Sequence, residues 1–357
     1  MNNTWKTDWG QSQKRYLDWW NGKGLLISMW EHLPKEGAPY EKVPKPAQAK
    51  DLNCFWFDPE YRADYLHWQM SRNSYKADVI PVANTQLGPG SLASILGAEV
   101  EGGPDTIWIK HPEGFGDDIV FDENHRWMQI HLDLLKAVKK RAQGHYYVGI
   151  PDIMEGLDTI ASLRGTENVL MDMVLRPEVL EEQCRRVNDI YFKVYDKIYD
   201  AVNEGGESAF CYFSIWGPGK VAKLQSDISI MFSEDDYVKF EQPYLRKQCQ
   251  YLDYSLYHLD GVGAIRHLDA LLDIPELNAI QWTPGVGEPQ GGDPKWYDLY
   301  RRIKAGGKSI QANWVTLAEL RPLLDAVGPD GMHISLDFGH EREIDEAMKI
   351  AQDFGWK

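Results

Sequence analysis

The chain has 357 residues and a formal net charge of −16. An acidic excess of this size opposes nucleic acid and anionic membrane surfaces, so neither is expected as a partner. Hydrophobic residues make up 43% and charged residues 26% of the chain without a biased tract, which is typical of a globular protein with a substantial core.

The lack of a recognisable targeting segment and the spacing of the cysteines both indicate a reducing, intracellular environment. Residues 1–9 contain no basic segment followed by an apolar one, and no stretch reaches 18 uninterrupted apolar residues, so we expect a soluble, cytoplasmic protein. Cys54, Cys184, Cys211 and Cys249 form no Cys-x-x-Cys pair. Their spacing favours buried, reduced thiols over a disulfide framework or a thiolate-rich zinc site.

The first 70 residues are rich in Trp and Pro around one apolar strand, Gly24 to Trp30. We predict that residues 1–70 form an extension or cap packed on a catalytic domain of residues 71–357. The chain has 14 tryptophans, more than core packing usually requires. Several are therefore expected to line a pocket, since Trp offers a large flat surface for stacking.

Beyond residue 70, short apolar runs typical of buried parallel strands alternate with helical patterns. The runs are Ala77 to Val82, Tyr146 to Ile150, Ala209 to Ile215, Leu277 to Trp282, Ser309 to Trp314 and Met332 to Leu336. One long amphipathic helix is predicted from Pro177 to Val202. Another is predicted to begin at Ser233, whose side chain can cap a first turn that contains three acids.

Alternating strands and helices predict a parallel sheet covered by helices. About eight strands are indicated, which favours a closed (β/α)8 barrel of the TIM type over a doubly wound sheet. A doubly wound nucleotide-binding sheet would require a Gly-x-Gly-x-x-Gly turn. Gly88-Pro89-Gly90 does not match that pattern and Gly217-Pro218-Gly219 lacks the third glycine, so both are expected to be loops.

Polar residues recur where predicted strands end, which is where parallel barrels carry their chemistry. His258 and Asp260 are two residues apart, so both side chains face the same side of an extended strand and can converge on a metal ion or a shared proton. Alternatively, His258 is a hydrogen-bonded core histidine and Asp260 caps the helix that follows. The strand pattern leaves both interpretations open.

Three further acids are candidates. Asp227 interrupts an apolar stretch before a helix, where a buried carboxylate with a raised pKa would act as general acid or base, although a turn with local hydrogen bonds is the alternative. Asp78 interrupts a strand-like run and is a candidate catalytic residue. Glu155 is a candidate substrate-binding residue at a helix start, a position where acids are common anyway.

Tryptophans also stand at strand ends. Trp216, Trp282 and Trp314, together with Gln281, are predicted to bind substrate around a common cavity mouth. A hydrophobic lid over the core would explain the three tryptophans equally well.

Three segments carry a resemblance to a known group of enzymes: Gly156 to Gly165, Gln225 to Glu234 and Tyr257 to Gly261. Over residues 70 to 350 the chain resembles the uroporphyrinogen decarboxylase superfamily, which includes barrel methyltransferases that use corrinoid proteins. Asp78 resembles the catalytic aspartate of the decarboxylases. However, Met29 to Lys35 carries Trp and Glu where those enzymes have arginines, which argues against a polyanionic tetrapyrrole substrate.

The methyltransferase branch of that superfamily has a His-x-Cys zinc motif at the position of His258-Leu259-Asp260. Asp260 replaces its cysteine, and no cysteine follows Cys249. The resemblance therefore implies an oxygen and nitrogen ligand set for zinc, namely His258 and Asp260 with Asp337 or Glu288.

The resemblance further implies a demethylase-type methyltransferase. It would move a methyl group from a small aromatic methoxy or methylamine substrate to a corrinoid on a partner protein, without a covalently bound cofactor and as a possible homodimer. A lyase, decarboxylase or hydrolase that uses an Asp and His acid–base pair on a small aromatic or sugar substrate is the alternative. A binding protein without catalysis is the third interpretation.

Overall fold

The computed structural model describes residues 5–85, 87 and 90–357, so Gly88 and Pro89 of the loop named above lie outside the described residues. The described residues form twelve strands: β1 Leu25–Met29, β2 Val82–Ala83, β3 Glu99–Gly102, β4 Ile107–Lys110, β5 Tyr147–Val148, β6 Glu207–Phe210, β7 Ile215–Pro218, β8 Val221–Gln225, β9 Tyr254–Asp260, β10 Ala279–Thr283, β11 Ser309–Val315 and β12 Met332–Leu336.

Fourteen α-helices lie between these strands in the described parts of the chain: α1 Trp9–Trp20, α2 Leu52–Phe57, α3 Pro59–Met70, α4 Ser91–Ile95, α5 Arg126–Ala142, α6 Gly156–Arg164, α7 Thr166–Leu175, α8 Pro177–Val202, α9 Glu234–Phe240, α10 Gln242–Tyr251, α11 Leu268–Leu272, α12 Tyr297–Ala305, α13 Leu317–Val327 and α14 Glu341–Asp353. Single 3₁₀ turns span Asp227–Met231, Val262–His267 and Pro294–Trp296. None of the described helices is long and apolar enough to cross a membrane.

The two explicit helix predictions are confirmed. Helix α8 begins at Pro177 and ends at Val202, and its apolar stripe is buried. Ser233 caps α9 by accepting a hydrogen bond from the backbone N–H of Asp236. Both follow from local rules, since an apolar stripe at helical spacing needs a core to face and a serine oxygen satisfies a first-turn N–H that has no helical partner.

The fold is mixed α/β, built on a parallel six-stranded sheet in the order β1-β12-β11-β10-β9-β8. Strands β1, β8 and β12 are buried along their whole length, as expected for parallel strands covered on both faces, although β8 includes Lys223 and β12 includes His333. Strands β2 and β5 form a separate parallel pair, and an isolated bridge between Ile150 and Phe210 connects the end of β5 with β6. The prediction of a parallel sheet covered by helices is confirmed.

Two strand predictions differ from the structure. The run from Ala209 to Ile215 was predicted as one parallel strand, but β6 and β7 form an antiparallel hairpin whose turn contains Ser214 at φ +49°. Strand β8 was not predicted, because its apolar run is short and contains Lys223. The hairpin brings Phe213 into the sheet interior, where its carbonyl oxygen accepts a hydrogen bond from Gln311 at 2.8 Å.

The tryptophan-rich helix α1 lies at the amino ends of the sheet strands. The indole of Trp19 donates to the carbonyl oxygen of Ile310 at 3.1 Å, near the start of β11. The ring of Trp20 stacks on Tyr254, the first residue of β9, at 5.1 Å. The tryptophans of α1 therefore close the end of the sheet opposite to the one where β-strand chemistry is expected.

Candidate functional site

The polar residues of β9, β10 and β11 form aligned rows on one face of the sheet. In register, His258 lies beside Gln281, which lies beside Gln311, and Asp260 lies beside Thr283 one step nearer the carboxyl ends. Neighbouring parallel strands keep their side chains in phase, so residues that are in register share a face. The predicted convergence of His258 and Asp260 thus follows from strand parity.

A second acid, Asp227, joins this pair as its third residue. Asp227 begins the 3₁₀ turn directly after β8, the neighbour of β9. One ligand atom from each of Asp227, His258 and Asp260 lies within 4.8 Å of the other two. His258 Nε2 and Asp260 Oδ2 are 3.9 Å apart. Within the described parts of the chain, these three are the residues that come together with metal-ligand spacing.

His258 is held in one orientation and kept neutral. Its Nδ1 lies within hydrogen-bond distance of Gln281 Oε1, and Gln281 Nε2 donates to the Thr283 hydroxyl at 2.9 Å. Because Gln281 Oε1 only accepts, Nδ1 carries the proton and Nε2 keeps its lone pair. Burial, together with the nearby charge of Lys223, lowers the pKa of His258 to about 3.

Asp227 opens to solvent on one side and is enclosed by protein on the other. Its Oδ2 accepts a hydrogen bond from Gln225 Nε2 at 2.9 Å. The carboxylate of Asp158 accepts from the backbone N–H of Asp227 at 2.8 Å and of Ile228 at 3.0 Å, which fixes the turn. Desolvation, with repulsion from Asp158, raises the pKa of Asp227 to about 7. Burial also raises the pKa of Asp260.

Buried charged residues lie beneath this cluster, and the sequence had pointed to only some of them. Lys223, on β8, pairs with Asp152 at 2.8 Å, and both side chains are nearly inaccessible. Glu155 is 1% exposed and accepts from the backbone N–H of Gln225 at 2.8 Å. Burial raises the pKa of Glu155 to about 8. The sequence signal that could have identified Lys223 as a buried functional residue is its position within the apolar run Val221 to Leu224.

Two cavities border the cluster, one through Asp227 and the other through Asp260. One, of about 1000 Å³, is lined by Asp227, Asp158 and Met154 among others. The second, of about 690 Å³, is lined by Asp260, Thr283, Trp314 and Asp337. Each of the two cavities is within the size range of pockets for small molecules.

The donor set fits a divalent metal. One neutral imidazole nitrogen and two carboxylates give three protein ligands, which leaves a position open for substrate in tetrahedral coordination. Gln281 supplies the outer hydrogen bond that metal-bound histidines usually make. The oxygen-rich set has a harder character than the thiolate set of the resembling enzymes. Asp337, predicted as a ligand, is exposed and lines the second cavity without joining the three-residue group.

The structure does not bring every predicted site residue to this place. Asp78 lies at the amino end of the sheet, where its carboxylate bonds to Arg15 at 2.7 Å and to the Trp356 indole at 2.8 Å. Trp216 is also at that end, with its indole donating to the Tyr147 hydroxyl at 3.1 Å. No contact among the described residues joins Asp78 or Trp216 to the cluster.

Of the remaining predicted residues, some lie at the site and others lie on a different face of the sheet or beneath the cluster. Gln281 and Trp314 lie at the site, the first against His258 and the second in the wall of the second cavity. Trp282 is on the opposite face of β10 from Gln281, buried against Trp296 with ring centroids 5.0 Å apart. Glu155 lies below the cluster and lines neither of the two cavities.

Fold and site together define an α/β protein with a polar cluster of metal-ligand spacing at the carboxyl ends of a parallel sheet. No family model matches the chain, and no curated protein matches its sequence. Among solved structures it is similar to a methyltransferase from Methanosarcina mazei, with a TM-score of 0.60 over 96% of this chain and 98% of that chain at 11% identity. At this identity, the likeness shows a shared fold.

Proposed function

We propose that the chain is a methyltransferase that removes a methyl group from a small methoxy or methylamine substrate and passes it to a corrinoid on a partner protein. The observation that carries the proposal is the group of Asp227, His258 and Asp260 between two cavities at the carboxyl ends of the strands. A methyltransferase with the same fold adds support without fixing the reaction.

The proposal extends to a closed (β/α)8 barrel. Backbone hydrogen bonds continue beyond the six-stranded sheet, from Asp78 N to Ile27 O at 2.8 Å, through the β2 and β5 pair, and from Ile150 N to Ala209 O at 2.7 Å. The Ser208 hydroxyl then accepts from the N–H of Val221, the first residue of β8, at 3.1 Å. These contacts favour a ring of neighbours around one polar interior. Strand β1 belongs to that ring through its pairing with β12, so the predicted extension of residues 1–70 would contribute a strand to the barrel as well as helix α1 at its amino end.

Zinc is the metal that we propose, held by His258, Asp260 and Asp227. When bound, it would act as a Lewis acid on the heteroatom that loses its methyl group. In the reaction the bond from the methyl carbon to that oxygen or nitrogen breaks, the heteroatom keeps the electron pair, and the new bond to cobalt uses an electron pair of the corrinoid.

The protein residues contribute binding and orientation. Gln281 fixes the histidine tautomer, Trp314 offers an aromatic wall beside Asp260, and the larger cavity on the Asp227 side gives a second approach to the cluster. A separate cavity beside each of the two carboxylates suits a transfer between two partners, because methyl donor and methyl acceptor both need access to the cluster.

Elemental analysis of purified protein after dialysis against zinc tests the metal. We expect one zinc per chain in the wild type, its loss in His258→Ala, and its retention in His125→Ala, a matched histidine outside the cluster. A folded wild type that binds no zinc or other divalent metal would sink this part of the proposal. Methyl transfer from methoxyaromatic compounds and methylamines to cob(I)alamin then tests the reaction.

An acid–base enzyme is the second candidate, and the raised pKa of Asp227 favours it. A carboxyl group with a pKa of about 7 holds its proton for half of the time at neutral pH and can donate it to a leaving oxygen. Asp260 would then serve as the base of a lyase or hydrolase. Cleavage of a substrate by metal-free protein, abolished in Asp227→Asn, would favour this candidate over methyl transfer.

A further inference from the structure

Arg62, on α3, is a buried cation without a counter-ion. Its side chain belongs to a residue that is 6% exposed, and its Nε has no hydrogen-bond partner. No carboxylate of the described residues forms an ion pair with it. Its guanidinium instead lies near three aromatic rings, those of Phe55 at 5.2 Å, Trp56 at 5.0 Å and Tyr65 at 5.9 Å.

Such an arrangement is costly in the absence of a ligand. A buried charge normally requires an opposite charge or a full set of hydrogen bonds, and contact with aromatic rings compensates only part of the lost hydration. The imbalance is visible in the pKa of Arg62, which burial lowers to about 10. Arg72, Arg126 and Arg266 also lack an ion pair within the described residues, but they are exposed to solvent, whereas Arg62 is buried.

Arg62 also borders a cavity of about 320 Å³. Gln69 and Asn73 add amide groups to its lining, and Trp30, Trp56 and Tyr212 add aromatic walls. Arg62 is the one charged side chain among the described lining residues, whereas the two cavities at the candidate site are lined by several carboxylates each. The volume is at the lower end of the range for small-molecule pockets, about 300–1,000 Å³.

We propose that this cavity is a binding site for a small aromatic carboxylate, whose negative charge Arg62 neutralises. The planar guanidinium can donate two parallel hydrogen bonds to a carboxylate, and the surrounding rings suit a flat apolar body. One cation matches a monoanion better than a phosphate dianion. The proposal concerns binding alone and does not depend on the reaction proposed above.

The cavity lies at the same end of the sheet as the candidate site, the carboxyl ends of the strands. Trp30 follows the carboxyl end of β1, and its ring is 5.7 Å from Phe213, whose ring is 5.0 Å from His258. The ring of Trp30 is also 4.6 Å from Trp314 in the wall of the Asp260 cavity. The rings of Trp30 and Phe213 would therefore lie between a carboxylate bound at Arg62 and His258 of the cluster.

Isothermal titration of the full chain with benzoate and with its neutral analogue benzamide tests the site. We expect benzoate to bind about tenfold or more tightly than benzamide, because charge-assisted hydrogen bonds separate the two ligands. Equal affinities, no benzoate binding, or tighter binding of inorganic phosphate would overturn the proposal. This comparison uses the wild type only, so it remains decisive if a variant fails to fold.

Arg62→Met then separates a binding role from a structural one. Removal of an uncompensated buried charge should keep or raise the unfolding temperature without ligand and abolish the preference for benzoate. Arg321→Met, which removes an exposed arginine on α13, should leave the preference intact. If Arg62→Met lowers the unfolding temperature while benzoate still binds with its original affinity, the arginine is structural and the proposal is wrong.

Discussion

Asp78 and Glu155 are both buried carboxylates, with exposures of 0% and 1%, but they lie at opposite ends of the sheet and in opposite environments. Asp78 has the Arg15 guanidinium, the Trp356 indole and the backbone N–H of Ile27 as partners. Glu155 has the backbone N–H of Gln225 and no cation bonded to it among the described residues. The amino end is thus electrostatically satisfied, whereas the carboxyl end holds acids that favour a proton or a cation.

Replacement of Asp78 should have the largest effect on stability. Asp78→Ala leaves Arg15 without its ion pair and the indole of Trp356 without its acceptor. Breaking a buried ion pair on one side typically costs about 3–5 kcal/mol. Urea unfolding at pH 7 measures the loss. Asp345→Ala, which removes an exposed partner of Lys76, is the control and should cost about 1 kcal/mol or less. Equal costs for the two variants would contradict the difference between the two ends.

Glu155→Gln should stabilise the folded protein, and the gain in the free energy of unfolding should depend on pH. Folded wild type keeps the Glu155 proton up to a pH of about 8, while the unfolded chain loses it near about 4.3. Between these values unfolding releases a proton, so wild-type stability falls as pH rises, by at most about 1.4 kcal/mol per pH unit. The glutamine does not titrate. From pH 4 to 9 the free energy of unfolding of the variant should increasingly exceed that of the wild type. A constant difference between the two would contradict a buried Glu155 with a raised pKa.

Added zinc should stabilise the carboxyl end by replacing the missing positive charge. A ligand present at about 100 times its Kd stabilises the folded state by about 2.7 kcal/mol. We expect an increase of the unfolding temperature with zinc in the wild type and none in His258→Ala. An equal increase in both proteins would place the zinc elsewhere on the acidic surface.

The smallest effect is expected for Gln281→Leu, which should weaken zinc binding because it removes the hydrogen bond that orients His258. Outer-shell partners of metal-bound histidines typically change metal affinity about 10–100-fold. Gln311→Leu is the matched control, because Gln311 is in register with Gln281 on the neighbouring strand. Zinc titration against a chelator measures both. A larger loss in Gln311→Leu would show that Gln281 does not orient the ligand.

Local sequence patterns predicted part of the fold accurately. The limits of α8 and the cap at Ser233 follow from periodicity and capping chemistry, which depend on neighbouring residues only. The hairpin of β6 and β7 was missed because the run from Ala209 to Ile215 contains neither Gly nor Pro, and Ser214 takes a left-handed conformation there. Strand β8 was missed because Lys223 becomes buried only through its pairing with Asp152, far away in sequence.

At the site too, features set by neighbouring residues could be predicted and features set by distant residues could not. Strand parity was enough to bring His258 and Asp260 together, but the place of Asp227 depends on β8 lying beside β9, which a single sequence does not reveal. The tryptophans illustrate a second limit. Trp216, Trp282 and Trp314 all stand in or near strand ends, yet they lie at the amino end, on the outer face and at the site respectively. Residue type does not specify the end or the face.

The alternation of His258 and Asp260 along β9 has a consequence for how such a site can evolve. The strand fixes where the side chain of residue 260 points, independently of what that side chain is. A single replacement at this position therefore exchanges a hard oxygen ligand for a soft sulfur ligand, or removes it, without a change in the backbone. If the proposed metal site is correct, its metal preference can thus diverge by one mutational step while the scaffold is inherited unchanged.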